Sequence, residues 1–590
     1  MKSPLLTLLT VLAMTLAAPA QLQEQIERQA KQARAILDAW HADGPRKSER
    51  TLHIVYWTPS DREPAHAYRE RLTRIFKDIR AFYADEMERI GFGRRTIELD
   101  YAEDELLNIH LVKGAGPFSD YGMQDGGKIR TECLPTLREA GIDPDRETLV
   151  IFCNLATWDA EKLTFTHKSP YYAGGSARHG TAWQLDSPEL DTKNLALKEP
   201  IIRDGQYGRI SLGKHNSIFI GGIAHELGHA LGLPHNKQRP DEQAAFGTAL
   251  MGSGNRTYGD QLRGEGRGSF LTLAHAMRLA SHPQFSGSIK GLHAPARASF
   301  SGFDLVPGES SFQFSGTVKS AVPVYAVVAY LDPAGGSDYD AQTATAVPDR
   351  NGRFTLDCTG LTGNKAAALR IVACMANGAT QQVAFGYRVD AQGKPDLSSL
   401  EQKLALGPIV AALNARAPDV GKKVAALEDG RVKEIATRLI GPNARRPAPA
   451  EIEIDQVPLS DTTPSLEKVG WMRPTYNRLP NRERLLESGG QIFATGIYAH
   501  APAEHHYQLG GKWKRLSGQC GIAANSRGSV IFVIRVDGEE KWRSRKVQAG
   551  RLLSYEIDLE GAEEVQLSVE DAGDGSGSDW GLWLEPVLSR

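Results

Sequence analysis

Three histidines and one glutamate occur in a short stretch where their spacing could support hydrolytic chemistry. Residues 225–235 read His-Glu-Leu-Gly-His-Ala-Leu-Gly-Leu-Pro-His. On a helix, His225 and His229 lie four residues apart and therefore on one face, where both imidazoles can reach one ion. Gly232 can take a left-handed conformation that ends the helix and returns His235 as a third ligand. Three neutral imidazoles with an open fourth position are typical of a catalytic zinc site.

Glu226 is the residue of this stretch that could act as a general base. It follows the first ligand and is rotated off the face that carries the histidines, beside the open coordination position. Zinc would activate a water and polarise a carbonyl, and Glu226 would take the proton of that water and pass it to the leaving amine. The sequence therefore predicts a metallopeptidase with one catalytic Zn²⁺. Another divalent ion could occupy three imidazoles, but outside the cell zinc is favoured.

The stretch resembles the zinc signature HExxHxxGxxH of the metzincin clan of metallopeptidases. The resemblance covers 217–252 and implies a methionine turn beneath the metal, for which 249–252 (ALMG) is similar. Met251 would then be a hydrophobic floor and not a ligand. Clan members often have a tyrosine shortly after that methionine, acting as an extra ligand or transition-state donor. The nearest one here is Tyr258, seven residues on, which is a wider spacing than the clan's, and a packing role is the alternative. The clan layout also implies that Tyr171–Asp191 supplies an edge strand that pairs with an extended peptide substrate.

Three carboxylates in that last segment raise the question of a second metal. Asp186, Glu189 and Asp191 offer the oxygen ligands that Ca²⁺ prefers. A solvated loop is the alternative, and the sequence leaves both open.

The elements before the metal motif must build the layer that positions it. Leu52–Trp57 and Thr148–Asn154 are apolar runs typical of strands, and Ala65–Ile90 has the apolar periodicity of an amphipathic helix. Ser217–Leu231 is expected to be the helix that carries the ligands. This order of elements predicts a metzincin-like α/β catalytic domain over residues 21–290.

Three further regions follow the catalytic domain. Residues 298–392 alternate apolar and polar side chains between turn signals, which predicts a β-sandwich. Residues 396–450 read as a helical connector that ends in a Pro-rich linker. Residues 452–590 are again of β type and predict a C-terminal β-sandwich. A multidomain chain is expected because the chain has 590 residues, whereas a single core rarely grows beyond roughly 250–300.

The C-terminal region resembles the NPCBM family of carbohydrate-binding modules, often found appended to secreted glycosidases. The matching stretches are, in order, 495–501 (TGIYAHA), 507–513 (YQLGGKW), 528–532 (GSVIF), 571–575 (DAGDG) and Asp579-Trp580. The resemblance implies a module that holds the enzyme on glycan. Aromatic faces stack on sugar rings and nearby polar groups take the hydroxyls, so His500, Trp580 and Trp583 are the candidate sugar-binding residues. A core role is the alternative for each, because buried tryptophans are common in sandwiches. Binding of protein by this module is the alternative.

The N-terminus predicts export. Lys2, the apolar run Leu5–Leu16 and the pattern Ala18-Pro19-Ala20 describe a secretory signal peptide over residues 1–20, cleaved after Ala20. No later stretch has the roughly 18 apolar residues that a membrane span needs. The formal net charge is −2, which favours neither nucleic acid nor an anionic membrane as a partner. The protein is therefore expected to be secreted or periplasmic.

Five cysteines are too few for a disulfide scaffold, and the odd number leaves at least one thiol free. Export permits bridges. We expect a Cys358–Cys374 bridge if those two strands are neighbours, and Cys133–Cys153 is a weaker candidate.

The leading interpretation is a secreted zinc endopeptidase that its C-terminal module targets to glycoproteins or other glycan-bearing substrates. One alternative is a glycosidase, which would need two carboxylates flanking a cleft. The other is a glycan-binding adhesin with a non-proteolytic metal site. An intact Glu226 argues against the adhesin, because a structural zinc site has little use for a general base.

Overall fold

The N-terminal half is built on a five-stranded sheet that is parallel except at one edge. The computed structural model describes residues 5–335, 338–441 and 447–590, with side chains from residue 20 onward. In spatial order the strands are Ile109–Lys113, His53–Thr58, Thr148–Cys153, Gly180–Leu185 and Tyr172–Gly175. The last strand runs antiparallel to its neighbour and forms an edge, as expected for the segment before the metal motif.

Helices cover both faces of this sheet. Successive strand residues point to opposite sides, and the central strands have buried apolar side chains on both of them. Ile54, Tyr56 and Phe152 pack on the face that carries the larger core, together with the helices Leu5–Ala42, Tyr68–Ile90, Leu212–Ala230 and Leu273–Ala280. Val55 and Ile151 pack on the other face, against the helix Gly126–Glu139. The helix with the metal motif is thus held between the sheet and the remaining helices.

Shorter elements complete this part of the chain. A four-stranded sheet consists of Ala156–Asp159, Thr164–His167, Ile201–Asp204 and Gly208–Ser211, and a two-stranded parallel pair of Thr248–Ala249 and Ser269–Phe270. The short helices are Phe118–Asp120, Thr192–Asn194, Pro240–Phe246, Gly254–Arg256, Asp260–Arg263 and Pro283–Ser286.

The signal peptide predicted for residues 1–20 stays a prediction, because residues 1–4 and the side chains up to residue 19 lie outside the described part of the chain. Among the helices that the structure describes, none is long and apolar enough to cross a membrane.

Two antiparallel sheets follow and face each other. One holds Ala298–Pro307, Phe312–Ser320 and Arg353–Cys358; the other holds Gln342–Ala346, Val324–Pro333, Lys365–Met375, Thr380–Val389 and Pro395–Asp396. Their inner faces share one core, which includes Phe314, Leu356 and Ile371. The outer face of the five-stranded sheet, with Val328 and Tyr330, belongs instead to the large N-terminal core. This sheet therefore lies directly against the part of the molecule that carries the metal motif.

The chain then forms three helices and a β-rich C-terminal part. The helices are Ser398–Asn414, Val420–Ala425 and Arg431–Ile440. One C-terminal sheet contains Gln456–Pro458, Gly496–His500, Arg515–Ile522, Leu552–Asp558 and Trp580–Ser589; the other contains Leu466–Lys468, Ala503–Gln508, Ser529–Val536, Glu539–Arg543, Val547–Gln548 and Glu564–Asp571. A hairpin of Leu486–Ser488 and Gln491–Phe493 lies beside them. The multidomain, largely β character is as expected, while the domain limits stay predictions.

The disulfide expectation is wrong. All five cysteines are buried free thiols. Cys358 belongs to the core between the two facing sheets, whereas Cys374 points to the N-terminal core on the other side of its sheet. The two sulfurs therefore lie on opposite sides of the five-stranded sheet that contains Lys365–Met375. The separation of the two residues in sequence does not reveal this.

Candidate metal centre

The helix that carries the motif is Leu212–Ala230. It begins earlier than the apolar pattern indicates, because the side chain of Ser211 caps it by accepting from the backbone N–H of Lys214. Nearly all of its residues are buried. Its small residues allow close packing: a Cβ on Gly222 would lie 1.6 Å from the hydroxyl oxygen of Tyr171.

Three imidazole nitrogens converge at the C-terminal end of this helix. Nε2 of His229 lies 3.2 Å from Nε2 of His225 and 3.0 Å from Nε2 of His235. One ligand atom from each residue falls within 4.8 Å of the others. Nitrogens bound tetrahedrally at about 2.0–2.1 Å from zinc would be roughly 3.3–3.4 Å apart. The triad therefore has the spacing of a group that can hold one metal ion.

Each histidine is oriented through its other ring nitrogen. Nδ1 of His225 lies 2.7 Å from the carbonyl oxygen of Leu250, and Nδ1 of His229 lies 2.7 Å from that of Leu233. Nδ1 of His235 lies 2.9 Å from Oδ1 of Asp338. Since carbonyl and carboxylate oxygens only accept, each Nδ1 carries the proton and donates it. All three Nε2 lone pairs are thereby left for a metal.

Burial keeps two of these ligands neutral. It lowers the pKa of His225 to about 3 and that of His229 to about 4, and the neighbouring imidazoles add to the effect. Neutral imidazole is the form that binds a metal. Near neutral pH these two ligands therefore need not lose a proton before binding.

Glu226 follows His225 on the helix and is partly buried. Burial raises the pKa of its carboxyl to about 7. A carboxyl with a pKa near the working pH can both accept and return a proton, which is what a general base and acid requires.

The turn after the helix returns His235 to the site. Gly232 has φ +92°, and the backbone N–H of Leu233 donates to the carbonyl of Gly228, which closes the helix end. A Cβ on Gly175 would lie 1.9 Å from the carbonyl oxygen of Ala230. The antiparallel edge strand is thus packed against the same helix end, close to the ligands.

Met251 occupies the position expected for a hydrophobic floor. It is fully buried, and a Cβ on Gly228 would lie 2.4 Å from its sulfur. The preceding residue, Leu250, orients His225, and the carbonyl of Met251 accepts from the backbone N–H of Asn236, next to the third ligand. The methionine segment therefore supports the chain on both sides of the motif.

Tyr258 does not face the ligands. Its hydroxyl donates to Asp78, and its ring packs at 5.6 Å from that of Phe82 in the core, where it is 6% exposed. The geometry gives Tyr258 a packing role, in contrast to the candidate role as a ligand or transition-state donor.

Two residues that sequence reasoning missed lie against the third ligand instead. The ring of Tyr339 stacks on that of His235, with centroids 3.5 Å apart, and Asp338 accepts from its Nδ1. Both come from the connection between the strands Val324–Pro333 and Gln342–Ala346, in the sandwich of residues 298–396. No spacing rule could have found them, since Asp338 follows His235 by 103 residues.

The three carboxylates considered for calcium are paired with cations. Asp186 makes two buried hydrogen bonds of 2.7 Å to Arg71, and Asp191 one of 2.6 Å to Arg74. Glu189 lies 3.2 Å from Nε2 of His215. They form neither a calcium site nor a solvated loop, because Asp186 and Asp191 are bound by arginines and Glu189 by His215 inside the fold. Within the described residues, the one cluster that could hold a metal is the histidine triad.

The candidate sugar-binding residues differ in accessibility. Trp583 has no exposed surface and packs against Phe532 and Tyr555 at 4.9 and 5.4 Å, so its assignment as a sugar platform is wrong. His500 is also buried, and Trp580, partly exposed, lies 6.1 Å from it. Trp471, which sequence reasoning did not select, is 61% exposed.

Comparisons with known proteins identify the C-terminal module. Residues 455–589 match the NPCBM/NEW2 domain family, and the chain ends in an NPCBM domain. The search of curated proteins returned no match.

Several solved structures are similar to parts of the chain. Wild-type OgpA from Akkermansia muciniphila is 29% identical, covering 58% of this chain and 94% of that chain with a TM-score of 0.48. Catalytically inactive OgpA from the same organism, in complex with an O-glycopeptide (glycodrosocin) substrate, is 27% identical. The match covers 58% of this chain and 94% of that chain, with a TM-score of 0.48. CBM51 from Clostridium perfringens GH95, in complex with methyl-galactose, is 22% identical. The match covers 23% of this chain and 99% of that chain, with a TM-score of 0.22.

Proposed function

We propose that this protein is a secreted zinc-dependent endopeptidase that acts on glycoproteins or other glycan-bearing substrates. The observation that carries the proposal is the convergence of the three Nε2 atoms of His225, His229 and His235, with Glu226 directly after the first of these residues on the same helix. Three histidine ligands leave a fourth position for water or substrate, as catalytic zinc sites do and structural ones do not.

The protein's own residues would divide the reaction among them. A bound zinc ion supplies positive charge that polarises the scissile carbonyl and makes water more acidic. The Glu226 carboxylate takes the proton from the attacking water and delivers it to the nitrogen of the leaving amine. The strand Tyr172–Gly175 is an edge of its sheet in the part of the chain that the structure describes, and its outer side would bind an extended peptide by strand addition. No covalent acyl-enzyme forms on this route.

The NPCBM domain supports a glycan-bearing substrate. A module of a carbohydrate-binding family on the same chain raises the local concentration of substrates that carry the bound sugar. Mucin-type glycoproteins and cell-wall glycopeptides are substrates of this kind.

The test is cleavage of two proteins, a denatured generic protein and a mucin-type glycoprotein with and without its glycans. The enzymes are wild type, wild type treated with chelator and then reloaded with zinc, and Glu226→Gln. Glu226→Gln keeps the size of the side chain and removes the base, so it should bind zinc normally and lose at least about 10²-fold in kcat.

Each outcome bears on a different part of the proposal. Cleavage by wild type and by the reloaded enzyme alone, faster on the glycosylated protein, is the expected result. A zinc-loaded wild type that cuts neither substrate overturns the peptidase and brings the adhesin forward. Equal rates with and without glycans would remove the glycan-bearing substrate and leave the peptidase.

A further inference from the structure

The third metal ligand is held by a different part of the chain from the other two. His225 and His229 are oriented by backbone carbonyls of the segment that contains the motif and its methionine turn. His235 is oriented by the side chain of Asp338, which belongs to the sandwich of residues 298–396. We define the roof segment as residues 338–341, which precede the strand Gln342–Ala346.

Asp338 is itself fixed by the sheet behind it. Its Oδ1 accepts from Nδ1 of His235 at 2.9 Å, while its Oδ2 accepts from Nη2 of Arg370 at 3.3 Å. Arg370 lies on the strand Lys365–Met375 and also contacts Asp332 at 3.2 Å. The arginine therefore bridges two carboxylates, and the position of the Asp338 carboxylate follows that of the sheet.

Two contacts from the roof segment act on the same imidazole. Asp338 fixes the edge of the His235 ring that carries Nδ1, and the Tyr339 ring covers its face at a centroid distance of 3.5 Å. Asp338 has φ +57°, a left-handed conformation that Asp adopts more readily than most residues but still at a cost. A surface ion pair formed by chance would explain neither the second contact nor this backbone conformation.

The sheet that carries Arg370 is not a loosely attached neighbour. Val328 and Tyr330 on its outer face are part of the core that also contains Met251 and Leu227. The hydroxyl of Tyr325 donates to the carbonyl of Met277 in the helix Leu273–Ala280. The roof segment is thus anchored to the metal-bearing part by packed side chains.

We infer that Asp338 is a positioning residue for the third metal ligand and is itself held by Arg370. The metal site is then complete only with the sandwich of residues 298–396 in place. Asp338 would hold His235 in the tautomer that presents Nε2 and would increase the basicity of that nitrogen. The inference rests on the proposed metal site and is independent of the substrate.

The experiment measures zinc binding by the full-length chain. Wild type, Asp338→Ala, Asp338→Asn, Arg370→Gln and Asp340→Asn are stripped of metal, and their melting temperatures are recorded. Zinc dissociation constants follow from competition with a chromophoric chelator, and Co²⁺-loaded samples give the visible absorption of the site. Asp340 lies in the roof segment and contacts Lys365 at 3.9 Å, so Asp340→Asn is the matched control.

We expect Asp338→Ala to raise the zinc dissociation constant about 10- to 100-fold and to alter the Co²⁺ spectrum. Asp338→Asn keeps an accepting oxygen and should recover part of the affinity, Arg370→Gln should show a smaller loss, and Asp340→Asn should match wild type. These differences should appear with little change in the metal-free melting temperature.

Wild-type affinity and spectrum in Asp338→Ala would overturn the inference. Should that variant fail to fold, wild-type values in both Asp338→Asn and Arg370→Gln would overturn it equally. A wild type that binds zinc but cleaves no protein defeats the proposed function only, and it leaves this inference standing.

Discussion

Gly228 faces the sulfur of Met251 so closely that a methyl group on the glycine would lie 2.4 Å from Sδ. Gly228 lies on the helix between the first two ligands, and Met251 follows Leu250, whose carbonyl orients His225. This contact sets how close the ligand helix lies to the methionine turn. It gives Gly228, which stands at a position that HExxHxxGxxH leaves open, a steric reason to be glycine.

Gly228→Ala should therefore disturb the metal site and the core together. The added methyl would push Met251 and the Leu250 carbonyl away from the helix, at a cost of about 1–3 kcal/mol in the free energy of unfolding. Urea denaturation of the metal-free protein and zinc titration measure the two effects. Gly421 is the control, because it lies at an exposed position of the helix Val420–Ala425 with nothing within 4 Å of a Cβ, and Gly421→Ala should stabilise by up to roughly 0.5–1 kcal/mol. Unchanged stability and zinc affinity in Gly228→Ala would refute the steric account.

Tyr339 should act through its ring. Because the observed contact is ring on ring, Tyr339→Phe should keep the zinc affinity, whereas Tyr339→Ala should lose a few-fold to about tenfold, the equivalent of about 0.5–1.5 kcal/mol for an aromatic pair. Zinc competition and kcat/KM on a cleaved substrate are the measurements. A Phe variant as impaired as the Ala variant would show that the hydroxyl, and not the ring, is what matters.

His215 should make the stability of the fold depend on pH. Burial lowers the pKa of His215, but its hydrogen bonds to Asp204 and Glu189 outweigh burial and raise the pKa above 6.5. The folded state then binds the proton more tightly than the unfolded state. The resulting stabilisation is complete below pH 6.5 and disappears as the pH rises through the folded pKa.

The measurement is the free energy of unfolding of wild type and His215→Gln between pH 5 and 9. We expect the advantage of wild type to shrink as the pH rises above about 6.5. His53→Gln is the control with the opposite sign, because burial lowers the pKa of His53 to about 4. There, wild type should lose stability relative to the variant as the pH falls below 6.5. An advantage at His215 that is constant with pH would mean that no proton is held there.

Two tryptophans of the NPCBM domain should respond differently to truncation. Trp583 lies fully buried between Phe532 and Tyr555, so Trp583→Ala should cost about 3–5 kcal/mol and lower the melting temperature of the domain. Trp471 is largely exposed, so Trp471→Ala should change stability by less than about 0.5 kcal/mol. An exposed ring can stack on sugar, and we therefore expect weaker binding to mucin-type glycan in a pull-down. Unchanged glycan binding would exclude Trp471 as the platform.

Local rules were sufficient for much of the metal motif. The helix spacing of His225 and His229 and the left-handed Gly232 depend on neighbours within a few residues, and their geometry is as expected. The continuous apolar run Thr148–Asn154 likewise predicted a buried strand, which the structure has at Thr148–Cys153. For Tyr258 the sequence left a role at the metal and a packing role both open, and only the structure shows that its hydroxyl faces Asp78 in the core.

The sequence by itself thus predicted the ligand set and the base, and it identified the NPCBM character of the C-terminus, since each is carried by a short pattern of residue types. Only the tertiary structure decided what orients His235. Asp338 reaches it across 103 residues because the sheet that carries Arg370 packs on the metal-bearing core. The tertiary structure likewise decided that Trp583 is part of the core. It also decided that Asp186 pairs with Arg71 and Asp191 with Arg74. Such pairings arise from the packing of distant elements, and no local periodicity encodes which side chains will meet there.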